Sequence, residues 1–281
     1  MPLIEVEGLS YRYPKAEEWA LESVDLHVDR GEFLVLTGPT GCGKTTLCRC
    51  LNGLIPHFYG GEMRGEVRVA GLSVRDNPIS TMARHVGMIF QNPDNQIFAL
   101  TVEKDVAFGL ENLGLPREEI RRRVDWALKI TGIESIRNRG THELSGGQKQ
   151  RLAIASVLAM KPEVIVLDEP TAHLDPVGAE EIMSIVDGLR RELQITVILV
   201  EHRMDIAVRH ADRVVVMEGG RIVLDGDPAE VLSSPEAERL GVDVPRAVRL
   251  YKRLGELGLN LGPPTTTVEE LAERVRGLIG G

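Results

Sequence analysis

The run Gly38-Pro39-Thr40-Gly41-Cys42-Gly43-Lys44-Thr45-Thr46 brings together three glycines, a lysine and two successive hydroxyls. Glycines let a backbone wrap closely and aim its N–H groups inward, and a helix beginning at the lysine adds its positive end, so the loop suits phosphate. Lys44 then sets a charge between β- and γ-phosphates, and Thr45 offers its hydroxyl to Mg²⁺. Asp168 closes the apolar run Val164-Ile165-Val166-Leu167, where a carboxylate is costly unless it faces a cation. The same Mg²⁺ is its natural partner. Glu169, one position on, can orient and deprotonate an attacking water; taken alone it would equally suit a structural salt bridge. Between these segments Leu144-Ser145-Gly146-Gly147-Gln148 opens a helical stretch, a second place where free N–H groups and a hydroxyl meet an anion. An ordinary N-cap explains Ser145 equally well.

The elements that must carry these residues are legible from apolar periodicity. Phe33–Thr37, Val164–Leu167, Thr196–Val200 and Arg213–Met217 are brief β-branched runs without alternation, the pattern of fully buried strands. Separated by helical stretches, they predict a parallel sheet covered on both faces, an α/β fold. Ile4–Glu7, Glu66–Val69 and Arg221–Leu224 alternate instead, which predicts an antiparallel layer with one wetter face. Residues from about Val102 to Gly140 are helical in pattern, with Ile120, Val124, Ala127 and Leu128 on one face and Arg117, Glu118, Arg121, Arg122 and Asp125 on the other. The Arg121-Arg122-Arg123 triplet is read as a solvated face. A boundary is expected near Gly226-Asp227-Pro228. Beyond it lie a Leu-rich helix (Leu250, Leu254, Leu257, Leu261), a Pro263–Thr267 linker, and a last helix capped by Thr267 with Glu270 through about Leu278.

With 281 residues the chain has ample length for a buried core, and a net charge of -9 argues against a general nucleic-acid binder. The sequence holds no apolar run long enough to span a bilayer, and its start lacks signal-peptide character, so a soluble intracellular protein is expected, with membrane association coming through a partner. The three cysteines, Cys42, Cys48 and Cys50, sit on the phosphate loop and its helix without a ligand-like histidine or fourth cysteine. Reduced thiols are the expectation, with Cys42 the reactive one, because the loop's N–H groups favour an anion beside them.

The ordered trio of Gly38–Thr45, Leu144–Gln148 and Val164–Glu169 resembles the ATP-binding cassette (ABC) family of P-loop NTPases, and Leu144 to Gln148 matches that family's signature motif letter for letter. The resemblance implies a mostly parallel central sheet, an antiparallel β subdomain, an inserted helical subdomain at about residues 92–160 and a small C-terminal helical region from 227 to 281. It implies that the signature completes the ATP site of the opposite protomer in a head-to-tail dimer. Gln91 lies at the Q-loop position, which senses Mg²⁺ and couples to a membrane partner; Leu174-Asp175 resembles the D-loop, and His202 the switch histidine that contacts γ-phosphate. Read alone, Gln91 would be a surface residue, Asp175 a turn residue and His202 a cap or a buried imidazole. Tyr13 is the first choice for the aromatic that stacks on adenine and Tyr11 the second, with core packing the alternative for both.

The segment Val86–Pro116, with Phe90-Gln91-Asn92-Pro93-Asp94-Asn95-Gln96-Ile97-Phe98 and Asp105-Val106-Ala107-Phe108-Gly109, resembles the ATPase A component of energy-coupling factor (ECF) transporters, relatives of cobalt-uptake ATPases. Likeness runs from about Leu3 to Leu232. It implies ATP and Mg²⁺ as cofactors, a homodimer or a heterodimer with a paralogous ATPase, and an integral membrane T component and substrate-binding S component as partners. Uptake would be of a vitamin or a transition-metal ion. The chain departs from the family's commoner residues at Pro39-Thr40 and Cys42, and His173 occupies a D-loop position that varies. The rival expectation is a cassette ATPase outside transport, such as an iron–sulfur assembly or repair-type clamp.

Overall fold

The computed structural model describes residues 2–172 and 174–279; His173 lies outside the described residues. Ten strands are present among them: β1 (Ile4–Arg12), β2 (Leu21–Val28), β3 (Phe33–Thr37), β4 (Glu62–Val69), β5 (Leu72–Ser73), β6 (Val86–Ile89), β7 (Val164–Asp168), β8 (Thr196–Val200), β9 (Arg213–Glu218) and β10 (Arg221–Gly226). Six form one sheet in the order β10-β9-β3-β8-β7-β6, parallel throughout except for β10. The other four form an antiparallel sheet in the order β2-β1-β4-β5.

The unbroken apolar runs behave as expected. Every residue of β3, β7 and β8 is buried, and successive side chains of β7 enter different cores. Val164 and Val166 pack with the antiparallel sheet and the phosphate-loop helix Lys44–Leu51. Ile165 and Leu167 pack with Ile182, Met183 and Val186 of the long helix Pro176–Leu193. Both faces being covered is what removes the alternation. In β1 the alternation is real but slips at Gly8, which sits at φ +56 where the register to both neighbours shifts, so Ile4 and Val6 give way to Leu9 and Tyr11 on the buried face.

Two expectations are corrected. Arg221–Leu224 alternates because β10 is the exposed antiparallel edge of the six-stranded sheet, not part of the separate antiparallel layer. Thr267 accepts from Glu270 N, but the Glu270 carboxylate turns to Thr265 Oγ1 and Arg274 instead of back to the Thr267 backbone, so the cap of the last helix, Val268–Ile279, is one-sided.

The helical subdomain consists of Val102–Asn112, Arg117–Ile130 and Gly146–Ala159 around their own core of Val102, Val106, Leu110, Val124, Leu128 and Leu152. It meets the sheet at β6, where a Cβ on Gly87 would lie 2.3 Å from Val157 Cγ1; only glycine lets that helix approach the strand so closely. After β10 the short helices Pro228–Ser233 and Pro235–Arg239, with Leu240 at the end of the second, add Val231, Leu232, Ala237 and Leu240 to the core under the six-stranded sheet. The helix Arg246–Glu256 ends before Leu257 and Leu261, which the Leu-rich spacing places on it; Leu250, Leu257 and, on the last helix Val268–Ile279, Leu278 are exposed, whereas Leu261 is buried.

Candidate active site

β3 delivers the chain into the phosphate loop, and β8, its neighbour in the sheet, and β7, the strand beyond it, end beside it. Gly38 has φ +133, and a Cβ there would lie 2.1 Å from the Met217 carbonyl oxygen of β9, so the loop turns where no larger residue fits. Lys44 is buried, and its Nζ donates to the carbonyls of Gly38 at 2.8 Å and Pro39 at 2.9 Å, which folds the ammonium over the loop. Pro39, Thr40 and Gly41 stay exposed at its rim, Gly43 precedes the helix, and Thr46 is buried on the helix's first turn.

Asp168 is buried at the end of β7, and Thr45 Oγ1 donates to its Oδ1 at 3.2 Å. Burial pushes the Asp168 carboxyl above its usual range, aided by the neighbouring Glu169 charge and opposed by the Thr45 hydrogen bond. Thr45, Asp168 and the Gln91 amide offer only oxygen ligands, which fits Mg²⁺, a hard cation that retains waters of its own. Among the described residues no group of three or more His, Cys, Asp or Glu forms a dedicated metal cage.

Glu169 lies between two of the other sequence-chosen residues. Gln91 Nε2 donates to its Oε2 at 2.8 Å, and His202 Nε2 lies 3.2 Å from its Oε1. Three segments distant in sequence converge here because β6, β7 and β8 are adjacent and all end on this side of the sheet. Glu169 has φ +51, a left-handed conformation costing a non-glycine residue roughly 1–2 kcal/mol, and its N–H is tied to Val200 O at 3.0 Å.

Ser145 caps the helix Gly146–Ala159 in a reciprocal box with Gln148: Gln148 N donates to Ser145 Oγ at 3.4 Å and Ser145 N donates to Gln148 Oε1 at 3.0 Å. Leu144 is anchored in the helical-subdomain core, while Ser145 and Gly146 are exposed and a Cβ at Gly146 would meet nothing within 4 Å. Gly147 is half-buried beside Leu174. Lys149 of the same helix pairs with Asp94 at 2.6 Å, joining it to the Gln91 segment. Asp175 caps the helix Pro176–Leu193 through Gly178 N at 2.7 Å.

Tyr13 shares a hydrogen bond with Thr46 Oγ1 at 3.2 Å and accepts one from Arg49 Nη1 at 3.1 Å, which sets its ring beside the phosphate-loop helix. It also lines an open cleft of about 470 Å³ with Arg12, Pro14 and Glu62. Tyr11 is fully buried, donates to Gly60 O at 2.8 Å, and has its phenol pushed up to about 12 by burial. It has no free face for a base. Cys42, Cys48 and Cys50 are all buried and unbridged. Burial pushes the Cys48 and Cys50 thiols well up, as for inert core residues.

The model of the ABC transporter family matches residues 21–172, a span that takes in the phosphate loop, the signature and the Asp168-Glu169 pair. The chain belongs to the ABC transporter family. It is an ATPase, and its nucleotide is ATP with Mg²⁺. An ABC transporter ATP-binding protein of Pyrococcus abyssi is 48% identical over 99% of this chain and 100% of its own length. The energy-coupling factor transporter ATP-binding protein EcfA1 of Clostridium novyi is 44% identical over 96% of both chains. Among solved structures, CbiO1 of Clostridium perfringens, part of the ABC transporter complex CbiONQ, superposes with a TM-score of 0.76 at 40% identity, covering 89% of this chain and 99% of CbiO1.

For an ABC ATPase the arrangement is suited to cradle phosphate and to offer oxygen ligands to Mg²⁺, with a half-buried carboxylate, Glu169, at the sheet's end. Sequence reasoning did not find Glu201, Thr171 and Arg203, which lie directly behind this cluster. The signal was available: Glu201 follows the apolar run Thr196–Val200 just as Asp168 ends its own.

Proposed function

We propose that this chain is the ATP-hydrolysing subunit of an energy-coupling factor importer, powering uptake of a vitamin or a transition-metal ion such as cobalt or nickel through membrane T and S components. Glu169 held between Gln91 and His202 is the observation that carries the hydrolytic part. Glu169 takes a proton from the attacking water while that water's oxygen bonds to the γ-phosphorus and the bond to the departing ADP oxygen breaks. His202 steadies the γ-phosphate oxygens, and Lys44 and the loop N–H groups hold the β- and γ-phosphates. Bound Mg²⁺, on Thr45 and Asp168 with Gln91 at its edge, would offset the phosphate charge. Tyr13 stacks on adenine.

The start of the Gly146–Ala159 helix supports a head-to-tail dimer, since Ser145 and Gly146 are exposed there at the positive end of a helix. Residues 1–226 would be the nucleotide-binding domain, and the exposed leucines of residues 227–281 support a second dimer contact there. Homodimer and heterodimer with a paralogue are both compatible with one complete set of residues. For the membrane component, an exposed patch of Phe98, Leu100 and Phe108 supports docking beside the Gln91 segment; the two rings lie 6.1 Å apart. No described helix is long and apolar enough to cross a membrane, so attachment at the cytoplasmic face would come through that partner. The importer class is supported by the EcfA1 relative and the CbiO1 likeness.

The test is a tagged pull-down from gently solubilised membranes, using Glu169→Gln with ATP to hold complexes. Recovery of a multi-span protein with a small membrane companion is expected, and the companion would name the substrate class. Recovery of soluble partners alone would favour a non-transport clamp.

A further inference from the structure

Glu201 is 3% exposed, immediately precedes His202, and has no part in the mechanism above. A carboxylate so deeply buried is costly unless hydrogen bonds satisfy it. Here both oxygens are satisfied. Oε1 accepts from His202 N at 2.8 Å and Arg203 N at 3.1 Å, and Oε2 accepts from the hydroxyl of Thr171, itself fully buried. Arg203 Nη1 adds bonds at 3.4 Å to the carbonyls of Thr171 and Leu174. The Glu201 N–H reaches Leu36 O on the strand that feeds the phosphate loop, at 3.3 Å.

These contacts close a ring. Glu169 leads through Pro170 to Thr171, Thr171 bonds Glu201, Glu201 holds the His202 backbone, and the His202 ring returns to Glu169 at 3.2 Å. The same ties reach Leu174, next to Asp175 of the D-loop. Capping the two backbone N–H groups needs only one acceptor oxygen, so a local cap accounts for Oε1 alone. The second oxygen is spent on a different segment, and a carboxylate is the side chain that accepts on both sides without presenting a donor.

We propose that Glu201 is a positioning residue for hydrolysis: through Thr171 it fixes the switch histidine and the D-loop in one geometry about Glu169. The inference rests on the roles assigned to Glu169 and His202. Neither Glu201 nor Thr171 touches nucleotide in this scheme, so loss of the tie lowers kcat and leaves ATP binding intact.

The experiment compares Thr171→Val, which keeps the shape and removes the hydroxyl, with Thr171→Ser, which restores it, and with Thr171→Ala, Glu201→Ala and the Val/Ala double variant. ATP turnover, ATP affinity and thermal melting are read together. The valine variant is expected to keep KM within about twofold and lose at least about tenfold in kcat, and serine to recover kcat to within about threefold of wild type. Glu201→Ala, which also removes the acceptor of His202 N and Arg203 N, is expected to lose at least as much kcat as the valine variant, with the double variant no worse than Glu201→Ala alone. The proposal is overturned if Thr171→Val turns over within twofold of wild type, if serine fails to restore kcat, or if the two losses multiply. It also falls if neither the valine nor the alanine variant folds, because the pair would then be a packing element. Glu169→Gln serves as the separate control: normal turnover in that variant would remove the site reading itself, whatever the Thr171 series shows.

Discussion

At Asp168 the buried carboxyl is pushed above its ordinary range, so the folded chain holds this proton more tightly than the unfolded one. Its contribution to stability is therefore greatest at low pH and is lost as pH rises through the folded-state pKa; above that, the charged group is a net cost. Asp168→Asn is expected to melt higher than wild type at pH 7, by about 2–4 °C for each kcal/mol relieved in a chain of this size, while losing Mg²⁺-dependent turnover. A melting curve without nucleotide, repeated at acidic pH where the gain should shrink, checks it. Glu169→Gln should bind ATP and lose roughly 10²- to 10⁴-fold in hydrolysis, read by phosphate release. For Cys42, buried with its Sγ 3.7 Å from Lys44 Nζ, alkylation should inhibit slowly and ATP should protect. Cys42→Ala should abolish that sensitivity, because the other two thiols are buried and pushed toward the neutral form. Residue types and spacing pointed to the loop, Asp168 and Glu169 as candidates. They were not enough for Glu201, whose partner Thr171 lies thirty positions away.

Among the elements, the Gly146–Ala159 helix carries the most consequence. Ser145→Ala removes the capping acceptor and should cost about 0.5–2 kcal/mol, measurable by denaturant unfolding, together with turnover in the dimer. Gly87→Val would drive a side chain into Val157, 2.3 Å from where even a Cβ would sit, and should separate the helical subdomain from β6; loss of cooperative unfolding would show it. Asp105 organises the proposed docking patch, accepting from Phe98 N at 2.9 Å, Ala99 N at 3.0 Å and Ser156 Oγ at 3.0 Å. Phe98→Asp is therefore expected to leave the isolated ATPase unchanged and to abolish recovery of the membrane component. The unbroken strands were readable because burial on both faces leaves continuous apolar runs. The assignment of β10 was not, since an exposed edge strand and a strand of a separate antiparallel layer share the same alternation.

Taken as a whole, the molecule leaves Glu169 half-buried and its signature helix start exposed at the surface, as the proposed site completed by a second cassette would require. Glu169→Gln with ATP should sediment as a dimer and without nucleotide as a lighter species; a single species in both conditions would refute nucleotide-driven pairing. Sequence by itself determined the chemistry available: local motifs are short, and glycine, lysine and carboxylate at fixed spacing permit few alternatives to phosphate and Mg²⁺. It also determined the strands whose neighbours bury both faces, because hydrophobic pattern records burial directly. What only tertiary structure decided is adjacency. The order β3-β8-β7-β6 brings Gln91, Glu169 and His202 within hydrogen-bond reach, and the packing of Tyr11 in the core leaves Tyr13 alone with a face beside the phosphate loop. Strand order and side-chain partners are set by contacts between segments far apart in the chain, and no local pattern of residues encodes them.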